Sequence, residues 1–120
     1  MGHQAALQGM NMNPWLSLFF AGLFEIGFTT CMKLSDGFSK WPWVAGFLLF
    51  AVLSFAFLSE AAKVIPLGTS YAVWTGVGAF GTALVGVFFF NEPATPARIA
   101  LLMLLIGSIV GLKLVSVTAQ

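Results

Sequence analysis

Glu25 is the residue with the clearest capacity for chemistry. It lies near the middle of an otherwise uncharged apolar run, Trp15 to Met32. That run is long enough to cross a bilayer, which places the carboxylate at mid-depth. An ionised carboxylate there costs about 2.5 kcal/mol or more on insertion scales, so it usually faces a cavity or a partner and usually works. The residue reads as a group that binds protons and cations. The competing reading is a structural carboxyl, held protonated and hydrogen-bonded between helices. Gly22 and Thr29 share a helical face with Glu25. Thr29 can hydrogen-bond the carboxyl or the backbone, and Gly22 lets a backbone or a ligand come close. Phe28, on the same face, either lines a cavity or packs.

A second group of residues follows the i, i+3, i+4, i+7 pattern: Tyr71, Trp74, Thr75 and Gly78. They form one polar-aromatic stripe. Trp74 is well inside its apolar segment, so an interfacial belt does not account for it. Tyr and Trp offer a hydrogen bond to a carboxylate and a π-face to a cation. Gly76, Gly78 and Gly81 weaken helical regularity and mark a candidate bend or hinge. Ser54 supplies a mid-depth hydroxyl in another segment. Gly107 and Gly111 form a small-xxx-small pattern that suits close helix pairing. The other acidic residues read as interfacial charges: Asp36 near Lys33 and Lys40, Glu60 within helical reach of Lys63, and Glu92 in a loop.

These residues need elements to hold them, and composition says which. The chain has 120 residues, 59% hydrophobic and only 8% charged. Soluble domains carry about 25% charge, so most of this surface faces lipid or other helices. The fold class is all-α integral membrane, with four spans expected at about 15–33, 43–62, 68–90 and 97–115, a 13–116 transmembrane domain in all. Residues 1–12 are expected to be a disordered leader without a cleavable signal, and 117–120 a tail. Pro42, Pro66 and Pro96 stand at helix starts, where proline forfeits no intrahelical bond. Trp15, Trp41 and Trp43 fall at the expected interfaces.

Several function classes drop out. The net charge of +1 argues against a nucleic-acid partner. No metal cluster, nucleophile–base pair or phosphate loop is present, so neither an enzyme nor a cofactor is expected. Gly76 to Gly81 is no dinucleotide fingerprint, because no strand–turn–helix surrounds it. Cys31 is the one cysteine and cannot form an internal disulfide. With four spans, Lys63 and Lys113 fall on one side and Lys33, Lys40 and Arg98 on the other. The positive-inside rule needs a bias to choose an orientation, and this balance offers little. It is consistent with both orientations occurring and pairing.

At these residues the chain resembles the small multidrug resistance family. The resemblance is carried by Gly22 to Glu25, by Pro66 to Gly78 and by Gly107 to Lys113, and extends from about Asn13 to Ser116. Together with Phe90-Asn91-Glu92-Pro93 and Gly111-Leu112-Lys113, the long central block looks most like the guanidinium-exporter subtype. The resemblance implies an antiparallel, dual-topology homodimer in the inner (plasma) membrane. It implies a proton-coupled antiporter in which two Glu25 carboxylates meet at one site. Tyr71, Trp74 and Ser54 would line that site and hydrogen-bond the carboxylates, with Gly22 close by and the Gly107–Gly111 helix holding the dimer. Two carboxylates sharing a dehydrated cavity should bind protons as a coupled pair, and a planar guanidinium can pair bidentately with carboxylate.

Phe28 departs from the subtype, which usually carries Trp three residues after the central Glu. Thr29-Thr30-Cys31-Met32-Lys33 looks closer to the multidrug-exporting subtype. The alternative expectation is therefore a polyspecific proton-coupled exporter of quaternary ammonium and other hydrophobic cations.

Overall fold

The structure is a computed structural model that describes residues 13–119, with side chains described to residue 115. The expected leader at residues 1–12 falls outside these, as does Gln120 of the expected tail, whereas residues 117–119 continue the last helix. The described residues form four helices: α1 (Pro14–Leu34), α2 (Trp41–Ala62), α3 (Leu67–Phe89) and α4 (Pro96–Ala119). Each is long and apolar enough to cross a membrane, at about 1.5 Å rise per residue. The four expected spans are therefore present, with ends shifted by at most four residues.

Local chemistry sets the ends. The Asn13 side chain caps α1 by accepting from the Trp15 N–H at 2.8 Å, with Pro14 in the first turn. Thr95 Oγ1 accepts from the Arg98 N–H at 3.2 Å and starts α4 in the same way. Between α1 and α2 the chain reverses through Asp36, Gly37 and Phe38, all with positive φ. A bulky residue such as Phe38 seldom adopts that conformation. Here the Ser35 Oγ accepts the Phe38 N–H at 2.9 Å, and the Phe38 ring meets Phe47 edge-on at 5.1 Å. Pro66 precedes α3 and Asn91, at φ 58°, follows it.

α1 lies between α2 and α3, and α4 packs on the far side of α3. Small residues and hydroxyls make the seams. Ser17 Oγ donates to the Phe57 carbonyl at 3.0 Å and Ser54 Oγ to the Ala21 carbonyl at 2.6 Å, tying α1 to α2. Leu18, Ala21, Ala61, Ile65, Val73 and Trp74 form the buried core. Many large apolar side chains point outward, including Leu101, Leu104 and Phe88. In lipid this is no penalty, since hydrocarbon tails are as apolar as Leu. α3 runs unbroken from Leu67 to Phe89. Its glycines serve close approach: a methyl at Gly76 would strike Ile109 of α4, and one at Gly81 would strike Ile26 of α1.

Candidate binding site around Glu25

α1 and α3 run parallel, and their contacts advance together. Gly22 faces Val77, Glu25 faces Gly78, Ile26 faces Gly81 and Thr29 faces Thr82. The Glu25 carboxylate lies directly against the backbone of Gly78, where any Cβ would collide with it. Glu25 Oε1 is buried and has no hydrogen-bond partner among the described residues. A buried polar oxygen in that state is costly unless something completes it. Among the described residues the ion pairs Lys63–Glu60 (2.9 Å) and Arg98–Glu92 (2.7 Å) belong to the helix ends, and none is made by Glu25.

The other expected site residues are engaged with one another and with the backbone. Trp74 Nε1 donates to Ser54 Oγ at 2.9 Å, and Ser54 passes its own proton to the Ala21 carbonyl. Each of these donors has one hydrogen, so within this chain neither reaches Glu25. Within this chain Trp74 and Ser54 join α3, α2 and α1 to one another, whereas the bond to the carboxylates expected of them concerns two paired copies. Tyr71 is 58% exposed and leans on Trp74, with ring centroids 5.6 Å apart. Gly22 is buried against Val77 and the α3 backbone, so the close approach it permits is made by the chain itself. Thr29 uses the backbone, donating to the Ile26 carbonyl at 3.0 Å, and meets Thr82 Oγ1 at 2.8 Å.

Phe28 packs. It meets Phe47 edge-on at 5.6 Å and Phe55 at 6.1 Å, and Phe55 in turn lies 5.5 Å from Trp74. A continuous aromatic row therefore runs from Phe47 through Phe28, Phe55 and Trp74 to Tyr71, crossing three helices. Gly107 and Gly111 have nothing within 4 Å of where a Cβ would stand. Their face of α4 is open within this chain.

Some features escaped the sequence reading. Arg98 pairs with Glu92 and also donates to the Pro93 carbonyl at 3.1 Å, while the Glu92 carboxylate rests on Gly86. The signal was Glu92-Pro93 followed by Arg98 six residues on, too loose a spacing to specify a pair. Thr82 as partner of Thr29 was not anticipated either. Thr75 Oγ1, like Glu25 Oε1, is buried without a partner among the described residues.

Comparison with known proteins bears on the same segments. A family model described as Small Multidrug Resistance protein matches residues 13–105. The chain is similar to the guanidinium exporter of Salmonella typhimurium, at 42% identity over 100 residues, covering 83% of this chain and 95% of that protein. It is 40% identical over 100 residues to the guanidinium exporter of Citrobacter freundii, with the same coverage. It is 41% identical over 102 residues to a probable guanidinium efflux system subunit of Bacillus licheniformis, covering 85% of this chain and 98% of that one.

Proposed function

The chain belongs to the Small Multidrug Resistance family, and from that premise we propose that it is a proton-coupled antiporter for guanidinium or small substituted guanidinium cations. It is a multi-pass protein of the inner membrane and a transporter rather than an enzyme. The observation that carries the reading is the half-buried Glu25 carboxylate, set at mid-span against Gly78 with its buried Oε1 unpaired among the described residues. The printed names of the similar proteins support guanidinium as the cargo.

The mechanism follows from one negative site with two kinds of occupant. A cation binds where Glu25 is ionised; a proton that neutralises Glu25 expels it. Two copies arranged antiparallel bring two Glu25 carboxylates to one cavity, with the open Gly107–Gly111 face of α4 as the pairing surface. In such a dimer, exchange of the two subunits' conformations turns the site inside out, and the end states are equivalent by symmetry. If only the loaded dimer reorients, the proton gradient drives cation export. Pairing also brings Tyr71, exposed within one chain, against a neighbour. Gly76 to Gly81 remains the proposed hinge, because Gly76, Gly78 and Gly81 give up side-chain bulk where α3 meets Ile109, Glu25 and Ile26.

A second reading rests on the aromatic row through Phe28. An apolar π surface next to a carboxylate suits bulky quaternary ammonium cations as well, which makes the polyspecific exporter the alternative. Proteoliposome flux tests both, with guanidinium and tetrapropylammonium as substrates and Glu25→Gln as control. Proton-coupled guanidinium currents that vanish in Glu25→Gln support the proposal. Comparable or larger currents with the bulky cation move the chain to the second reading, and absence of any coupled flux overturns both.

A further inference from the structure

We infer that Thr75 is a specificity-determining residue of the Glu25 site, its hydroxyl accepting an N–H hydrogen bond from a guanidinium-type cation held by the carboxylate. The inference rests on the proposed function and concerns the same site.

The first observation is that Thr75 Oγ1 and Glu25 Oε1 are the buried side-chain polar atoms without partners among the described residues. Several other hydroxyls in the spans are satisfied by backbone carbonyls. Thr30 donates to Ile26 at 2.7 Å, Ser108 to Leu104 at 3.0 Å, Ser70 to Ile65 at 3.3 Å and Ser54 to Ala21 at 2.6 Å. Thr75 has the Tyr71 carbonyl one turn behind it on the same helix, the usual acceptor for such a residue. It leaves that bond unmade.

The second observation is position. Tyr71, Thr75, Gly78 and Thr82 follow the i, i+4, i+7, i+11 spacing of a single helical face. Two members of that face touch α1: Gly78 meets the Glu25 carboxylate, and Thr82 meets Thr29 one turn further on. Thr75 is the next turn of the same face on the other side of Gly78. Helical spacing therefore puts Thr75 one turn along the face on which Gly78 meets the other unpaired oxygen.

The chemistry is selective. A hydroxyl carries one donor and two acceptor lone pairs. A planar guanidinium directs two N–H groups at a carboxylate and leaves others needing acceptors. Thr75 supplies one from a side chain that no other group occupies among the described residues. A quaternary ammonium has no N–H and gains nothing from it. Thr75 thus favours N–H-bearing cations, on a chain whose Phe28 lacks the indole donor.

The test compares Thr75→Val, which keeps shape and loses the hydroxyl, with Thr75→Ser, which keeps the hydroxyl. Both are reconstituted as the full chain beside wild type, and the KM for guanidinium is measured. Loss of a hydrogen bond to a charged ligand predicts a KM about tenfold or more higher in Thr75→Val, with Thr75→Ser restoring most of the loss. Where tetrapropylammonium is carried, its KM should move by less than about twofold. Equal shifts in the two variants, or no shift in either, overturn the inference and leave the exporter reading standing. Wild-type protein that moves no guanidinium overturns that reading and this inference together.

Discussion

The carboxylate of Glu25 rests on the backbone of Gly78, in space that a single methyl group would fill. A mid-membrane charge and a helix contact thus occupy one place. The glycine is what lets α3 approach the carboxylate rather than being pushed off it, and the consequences are measurable.

Gly78→Ala should displace the Glu25 side chain or part α1 from α3, because helix backbone yields less readily than a side-chain end. Guanidinium transport should fall at least about tenfold, while helical content by circular dichroism stays near wild type. Transport at wild-type rate would mean that the carboxylate works from a different position.

Cation affinity should weaken as pH falls. The sign follows from the site: the ionised carboxylate binds the cation and the protonated one does not. Below the titration range, displacement of one proton per cation raises the apparent Kd about tenfold per pH unit, and two coupled protons raise it more steeply. Equilibrium binding of guanidinium in detergent across that range checks it, and a Kd independent of pH would remove competition from the mechanism.

Ser54→Ala should destabilise the chain by about 1–3 kcal/mol, since it strands the buried Trp74 N–H. Thermal unfolding of Ser54→Ala, Trp74→Phe and the double variant forms a cycle. Their effects should fall short of additive by about 0.5 kcal/mol or more; strict additivity would show that the indole–hydroxyl bond contributes nothing.

Phe28→Trp should raise the ratio of guanidinium to tetrapropylammonium flux, by adding an N–H donor and bulk to the aromatic row beside Phe47 and Phe55. An unchanged ratio would assign Phe28 to packing alone and leave selectivity to other residues.

Composition and hydropathy alone determined that this chain has four spanning helices, where they begin and end to within a few residues, and that Glu25 stands near mid-depth. Neighbours on one helix were equally legible: Glu60 does pair with Lys63 at 2.9 Å, because i, i+3 spacing leaves little choice. What only the tertiary structure decided is which face of each helix meets which. These helices are apolar nearly all round, so no amphipathic stripe announces their rotation. Rotation and register are set instead by non-local contacts between small residues and hydroxyls: Gly22 on Val77, Gly81 under Ile26, Thr29 on Thr82, Ser54 on Ala21. Trp74 shows the difference most plainly. Its place in the polar-aromatic stripe was readable from spacing, but its partner was not. Ser54 lies 20 residues away on another helix and takes the indole proton that spacing alone would equally have offered to Glu25.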